Sequence, residues 1–217
     1  MQPSGLGLYH VTRPPRAGGA GPHPGLLLLH GRGADELDLL GLADELDPRF
    51  FVVSARAPMA LGPGYHWYQL AAIGSPEQKT FESSLKALSR FVVDLPTAYP
   101  IDPAALFTLG FSQGSMMAGS LLLTHPDSVA GTVMLSGYLP LESGLPIDET
   151  ALARRPVFQA HGTVDPVLPV ALGRQSRDFW QKVSADLTYR EYSIAHSISP
   201  AELLEVGEWL TGRLAKR

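Results

Sequence analysis

The 217-residue sequence has no cysteine, no long apolar run and no excess of basic charge. Without cysteine there are no disulfides, no thiolate metal ligands and no cysteine nucleophile. The longest apolar stretches, such as GLLLLH and SLLLTH, are far shorter than the roughly 20 residues that a membrane-spanning helix needs. A net charge of -4 lacks the basic footprint typical of nucleic-acid-binding proteins. We therefore expect no nucleic-acid partner and no membrane span.

The overall composition is that of a folded, soluble protein. Hydrophobic residues make up 45% and charged residues 18% of the chain, which argues against disorder. The length predicts a single domain over residues 1–217. The N-terminal stretch MQPSGLGLYHVTRPPRAGGAGPHP has no basic region followed by an apolar one, so we expect no signal peptide. These features, with the missing cysteine, predict a cytoplasmic protein.

Short apolar runs alternate with helical patterns along the chain. The runs are flanked by turn residues, as buried parallel strands are, and predict strands at 25–30, 50–54, 105–110, 130–135, 156–160 and 187–192, with another at 6–11. Helices are predicted at 36–46, 113–124 and 171–184, and two more after the capping patterns Ser75-Pro76-Glu77-Gln78 and Ser199-Pro200-Ala201-Glu202. This alternation predicts an α/β fold with a mostly parallel central sheet and helices on both faces.

A serine stands where one predicted strand turns into a helix. The sequence GFSQG, residues 110–114, matches the G-x-S-x-G nucleophile elbow, in which a strained turn presents the serine hydroxyl. Because a packed strand-to-helix turn can have the same pattern, the motif alone is weak. Ser112 is nevertheless the candidate nucleophile.

A serine nucleophile needs a base, and the base needs an orienting carboxylate. In α/β-hydrolases these follow the serine in the order acid, then histidine. Asp165, in HGTVDPVLP, follows a predicted strand and is the candidate acid. His196, the one histidine after it, lies in the loop before the last helix and is the candidate base. We expect His125 to be a surface or helix-capping residue and His161 to pack beneath a strand end.

Backbone N–H groups near Ser112 are the candidate oxyanion donors. Gln113 directly follows the nucleophile at a helix N-terminus. Arg32 lies in LLLLHGRGAD, where glycines let the backbone turn inward. We expect the Arg32 side chain to be a solvated cation rather than a clamp for a substrate carboxylate. A dinucleotide loop is disfavoured, because HGRGADE lacks the third glycine and the spacing.

Taken together, these motifs resemble the phospholipase/carboxylesterase family of α/β-hydrolases, which includes the acyl-protein thioesterases. The resemblance runs from LLLLHGRGAD through LGFSQGS and HGTVDPVLPV to AHSISPAEL. It implies an α/β-hydrolase fold, a triad of Ser112, Asp165 and His196, and often a homodimer. Ser115 and Ala195 stand where the family usually has glycine, which predicts crowding rather than loss of activity.

The resemblance also indicates where an acyl group would bind. Family members often carry a Trp-aromatic pair in the stretch that is APMALGPGYHWYQL here. The candidate substrate-binding residues, for which local core packing is the alternative, are Met59, Leu61, Trp67, Tyr68, Tyr138 and Val167. No insertion is long enough for a large lid domain, so we expect an open site for short or medium acyl chains.

The sequence thus predicts a serine hydrolase that cleaves small carboxylic esters or thioesters and needs no metal or organic cofactor. Two alternatives remain open. One is a serine hydrolase of other specificity, such as a peptidase or lactonase. The other is a non-catalytic protein of the same fold that binds a small apolar ligand.

Overall fold

The computed structural model describes residues 5–72 and 75–215. The strands in this part of the chain are β1 (His10–Arg13), β2 (His23–Leu29), β3 (Phe51–Ala55), β4 (Met59–Leu61), β5 (Gly64–His66), β6 (Leu70–Ala72), β7 (Ser75–Pro76), β8 (Ile101–Phe111), β9 (Gly131–Leu135), β10 (Pro156–Gly162) and β11 (Asp186–Tyr192). The helices are α1 (Gln78–Ala98), α2 (Gln113–Thr124), α3 (Val170–Lys182) and α4 (Pro200–Leu214), with short 3-10 helices at Leu40–Asp44 and Glu149–Leu152.

Seven of these strands form the central sheet in the order β1-β3-β2-β8-β9-β10-β11. Every neighbouring pair is parallel except β1 and β3, which are antiparallel. The mostly parallel sheet predicted from the sequence is therefore confirmed. The first strand is shifted towards the C-terminus, since it covers His10–Arg13 instead of 6–11. Two small hairpins, β4–β5 and β6–β7, lie outside this sheet.

The four leucines of β2 show how the sheet carries a core on each face. Leu27 and Leu29 belong to the apolar cluster that includes residues of α1, α2 and α3, whereas Leu26 and Leu28 belong to the cluster that includes α4. Successive strand residues point to opposite faces, and each face of this sheet is covered by helices. That is why a continuous apolar run, instead of an alternating one, forms a central strand here.

No separate lid domain interrupts the sheet in the described ranges. None of the helices there has the length and apolar character that crossing a membrane requires.

Helix α1 begins later than its capping pattern predicted. The N-cap is Glu77, whose carboxylate accepts hydrogen bonds from the backbone N–H groups of Lys79 and Thr80. Ser75–Pro76 instead forms β7, paired with β6. The prediction of Ser75 as N-cap was wrong because a carboxylate closer to the helix takes the capping role and strand pairing holds Ser75 in an extended conformation.

The helix predicted at 36–46 is also mostly absent, since only Leu40–Asp44 forms a short 3-10 helix. Asp35 accepts a hydrogen bond from the backbone N–H of Leu37, which stabilises a turn that competes with helix. Gly41 lowers helix propensity further along the segment. By contrast, α2 has the predicted bounds.

The second glycine of the elbow lies against the sheet backbone. A Cβ added to Gly114 would lie 1.9 Å from the carbonyl oxygen of Leu29. We therefore predict that Gly114→Ala destabilises the protein by at least about 1–3 kcal/mol, the usual range for an overpacked core. Urea unfolding followed by circular dichroism measures this change.

Gly212→Ala is the matched control. Gly212 lies in α4 with no atom within 4 Å of an added Cβ. It should raise the free energy of unfolding by about 0.5–1 kcal/mol, as glycine-to-alanine changes in open helix positions do. Equal effects of the two substitutions would contradict the packing described here.

Candidate active site

Ser112 occupies a sharp turn between β8 and α2. Its backbone has φ 53° and ψ -119°, an unusual conformation for a residue with a side chain. The chain can turn this tightly because residue 110 is glycine. A Cβ on Gly110 would lie only 2.2 Å from the Gly114 carbonyl oxygen. The Ser112 N–H also donates to the Leu135 carbonyl at 2.9 Å, which fixes the turn to β9. The hydroxyl is thus held at the carboxyl end of the sheet.

The structure brings the three predicted side chains together in one hydrogen-bonded line. Ser112 Oγ lies 2.9 Å from His196 Nε2, and His196 Nδ1 lies 2.7 Å from Asp165 Oδ2. A carboxylate can only accept, so Nδ1 carries the hydrogen and Nε2 presents its lone pair to the serine hydroxyl. The residues follow β8, β10 and β11, whose carboxyl ends meet at the same edge of the sheet.

Asp165 is held as a carboxylate by its surroundings. Burial by itself would raise its pKa, but hydrogen bonds from His196 and from the backbone N–H groups of Leu168 and Val167 lower the pKa below its usual value. The two backbone donors lie 2.9 and 2.8 Å from Oδ1, which leaves Oδ2 for the imidazole. The group can therefore orient His196 and stabilise an imidazolium.

The other two downstream histidines lie where the sequence predicted. His161 is fully buried, and its Nε2–H donates to the Leu168 carbonyl at 2.8 Å. The same nitrogen is 3.5 Å from Asp165 Oδ2, so the ring packs beneath the acid and supports its loop. His125 is the C-cap of α2.

Two backbone segments lie beside the hydroxyl. Gln113 is the first residue of α2, where a backbone N–H has no partner inside the helix and the helix dipole favours negative charge. The Gly31 backbone passes so close that an added Cβ would lie 3.4 Å from Ser112 Cβ. Arg32, the next residue, lines the cavity at Ser112, and the residue is exposed overall, as expected for a solvated cation.

The Gln113 side chain makes two hydrogen bonds that the sequence did not predict. Its Oε1 accepts from the Trp67 N–H and its Nε2 donates to the Tyr68 carbonyl, both at 2.7 Å. The Trp67 indole in turn donates to the His30 carbonyl at 3.0 Å. These bonds tie the elbow, the aromatic stretch and the loop after β2 into one rigid unit.

His30 orders the loop that carries Arg32. The Ala57 N–H donates to His30 Nε2 at 3.0 Å, so Nδ1 carries the hydrogen that bonds the Gly31 carbonyl at 2.7 Å. Burial lowers the pKa of His30, which keeps the ring neutral in this role. The position of His30 between a predicted buried strand and a glycine-containing loop could have indicated this role from the sequence.

A cavity of about 270 Å³ opens beside Ser112. Its walls are Arg32, Tyr68, Leu70, Gln113, Met116, Tyr138, Pro166, Val167 and Leu168. Three of the predicted substrate-binding residues, Tyr68, Tyr138 and Val167, are in this set.

The other three predicted pocket residues lie elsewhere. Trp67 is fully buried, and Met59 and Leu61 belong to β4 of the small hairpin. The sequence reasoning missed four walls: Leu70, Met116, Pro166 and Leu168. Met116 could have been found, because it lies about one helical turn after Ser112.

The two departures from the family pattern behave differently. Ser115 is fully buried, and a Cβ on Gly137 would lie 2.6 Å from its Oγ, so the elbow is tightly packed there. Ala195 is exposed. The expected crowding is therefore found at Ser115 and is absent at Ala195, because that methyl group reaches solvent.

Similarity to known proteins identifies the family of this chain. A sequence profile of the family described as Phospholipase/Carboxylesterase matches residues 17–213. The chain belongs to this family. It is a carboxylesterase-type enzyme with the α/β-hydrolase fold.

Individual relatives span most of the chain. Acyl-protein thioesterase 1 of Candida albicans is 26% identical over 229 residues, with 92% of this chain and 96% of the relative covered. Acyl-protein thioesterase 1 of Debaryomyces hansenii is 29% identical over 169 residues, or 73% of each chain. The crystal structure of the Bacillus cereus carboxylesterase superposes with a TM-score of 0.85 at 27% identity, covering 95% of this chain and 94% of that one.

The loop that carries His196 ends at the capping box of α4. Ser199 Oγ accepts from the Glu202 N–H, and the Glu202 carboxylate accepts from the Ser199 N–H, each at 3.2 Å. Glu202 is buried, and this burial raises its pKa to about 7. The predicted capping box is confirmed.

This raised pKa predicts a pH-dependent stability. An unfolded glutamate titrates at about 4.3, so between about pH 4.3 and 7 the folded state binds the extra proton at this site. Its contribution to stability then falls as the pH rises through that window, by at most about 1.4 kcal/mol per pH unit. Glu202→Gln, which mimics the protonated acid, should gain stability relative to wild type from pH 5 to 7.

Urea unfolding at several pH values tests this. Glu208→Gln, at an exposed position on the same helix, is the control. If Glu202→Gln and wild type gave parallel stability profiles, the raised pKa would be refuted.

Proposed function

We propose that this enzyme cleaves carboxylic esters or thioesters of small molecules through an acyl-enzyme on Ser112. The observation that carries the proposal is the continuous hydrogen-bonded line, 2.9 Å from Ser112 Oγ to His196 Nε2 and 2.7 Å from His196 Nδ1 to Asp165 Oδ2. Family membership supports acyl transfer as the reaction.

In the first half of the reaction His196 acts as general base. Its Nε2 takes the Ser112 proton while Oγ attacks the carbonyl carbon of the substrate. The imidazolium that forms is stabilised by the Asp165 carboxylate, which remains ionised. Collapse of the tetrahedral intermediate breaks the bond to the leaving group, and His196 returns the proton to the departing oxygen or sulfur.

The negative charge on the intermediate needs donors already in place. The backbone N–H groups of Gln113 and Arg32 would bind the oxyanion, with the N-terminus of α2 adding its dipole. The two hydrogen bonds of the Gln113 side chain hold the residue in place, and with it the backbone N–H. Little reorganisation of this donor is therefore needed as charge develops.

In the second half water replaces the leaving group. His196 removes a proton from water, the hydroxide attacks the acyl carbonyl, and the serine leaves with the proton that His196 held. The product is a free carboxylic acid. These steps use side chains and backbone alone, so we propose that no metal or organic cofactor is required.

The position of His196 sets the direction of the substrate. It must protonate the leaving group, so the alcohol or thiol lies next to its ring. The walls of the 270 Å³ cavity include Tyr68, Met116 and Val167 but not His196. The acyl group therefore points into this largely apolar cavity.

We further propose a cytoplasmic location, which the cysteine-free composition favours.

Removal of the nucleophile is the direct kinetic test. Ser112→Ala should lower kcat by about 10⁴-fold or more on a nitrophenyl ester and on a thioester of the same acyl group. Ser83→Ala, at an exposed position on α1, should leave both rates unchanged. Turnover by Ser112→Ala at the wild-type rate would contradict the assignment of Ser112 as the nucleophile.

A fluorophosphonate probe separates the enzyme from a ligand-binding module. Wild type should be labelled at Ser112, and Ser112→Ala should not be labelled. An unreactive wild-type protein that still bound small apolar molecules would favour the non-catalytic alternative.

A further inference from the structure

Tyr138 lines two cavities at once. One is the 270 Å³ cavity at Ser112, and the other is a larger cavity of about 620 Å³ between the loop after β9, the start of α1 and α3. We propose that the Tyr138 side chain sets the acyl-chain length by separating these cavities, and that the larger one accepts the far end of a longer acyl group once Tyr138 is removed. This inference rests on the proposed function.

The backbone that carries Tyr138 is fixed close to the elbow. A Cβ on Gly137 would lie 3.0 Å from the Ser112 carbonyl oxygen, so this loop packs directly against the nucleophile turn. On the other side the Leu139 N–H donates to Ser176 Oγ of α3 at 2.7 Å. These contacts of the two neighbouring residues hold the main chain at Tyr138 in place.

The Tyr138 side chain is buried and uncharged. Tyr138 is only 5% exposed, although it lines both cavities. Burial raises the pKa of its hydroxyl to about 12, so no charge forms there near neutral pH. Across the first cavity the Tyr68 hydroxyl donates to Met116 Sδ at 2.7 Å, which leaves an apolar space for the first carbons of an acyl chain.

The larger cavity has a mixed lining of apolar and polar side chains. The Gln78 side chain donates to the Ser143 carbonyl at 2.8 Å and so joins α1 to the loop after β9. Apolar walls come from Leu139, Pro140, Leu141 and Leu172, and polar ones from Gln78, Glu142 and Gln175. Such a lining can hold an alkyl segment with its end near water.

The experiment compares nitrophenyl esters of four-carbon and twelve-carbon acyl groups, below the concentration at which the longer one forms micelles. Tyr138→Ala should raise the ratio of kcat/KM for the long over the short ester by at least about 10-fold, since three or four more methylenes would be buried and the cost of ordering the chain offsets only part of this gain. Tyr138→Phe should keep the wild-type ratio, because the ring and not the hydroxyl forms the wall.

Two further variants test whether the longer acyl chain enters the larger cavity. Val167→Ala widens the first cavity alone and should leave the ratio near that of wild type. Gln175→Trp, at an exposed position on α3, places a bulky ring in the lining of the larger cavity and should reduce the gain when combined with Tyr138→Ala. A gain that Gln175→Trp does not reduce, or that Val167→Ala reproduces, overturns the inference.

Failure of this inference is distinguishable from failure of the proposed function. If Tyr138→Ala hydrolyses the short ester with a wild-type ratio, Tyr138 does not set chain length, while the Ser112 chemistry stands. Turnover by Ser112→Ala would instead remove the proposed function. Should Tyr138→Ala lose its near-ultraviolet circular dichroism, Tyr138→Leu takes its place, with the same increase expected and an unchanged ratio counting against the inference.

Discussion

The close approach of α2 to the central sheet is the constraint on which the site depends. An added Cβ on Gly114 would be 1.9 Å from the Leu29 carbonyl oxygen, so the helix starts directly on the end of β2. That contact helps to hold Ser112 at φ 53°, directly before the first residue of α2. A looser junction would allow the turn to relax into an ordinary conformation and would move the Ser112 hydroxyl out of the proposed site.

Hydrogen bonding then gives each side chain one orientation. Two backbone N–H groups occupy one oxygen of Asp165, and the other oxygen receives His196. This arrangement leaves a single tautomer of His196, whose free lone pair faces Ser112. Buried His161 supports the acid loop from below through the Leu168 carbonyl. The hydrogen-bonded geometry that the proposed proton transfer needs is thus present in the folded state.

Much of this could be predicted from the sequence, and the omissions have physical reasons. The strands and α2 could be predicted because apolar runs flanked by turn residues are local features of the sequence. The grouping of Ser112, Asp165 and His196 followed from chain order, because parallel strands end at one edge of the sheet. The helix expected at 36–46 failed through side-chain competition for backbone N–H groups. The pocket walls were only half found, since they depend on side-chain directions in space that periodicity does not encode.

The central claim is that Ser112 becomes acylated during turnover. Wild-type protein should be mixed with an excess of a nitrophenyl ester, quenched in acid within the first turnovers and digested for mass spectrometry. An acyl adduct is expected on the peptide that contains Ser112, formed during a burst of nitrophenol release and lost as substrate is exhausted. Steady turnover with no adduct, or with the adduct on another residue, would contradict it.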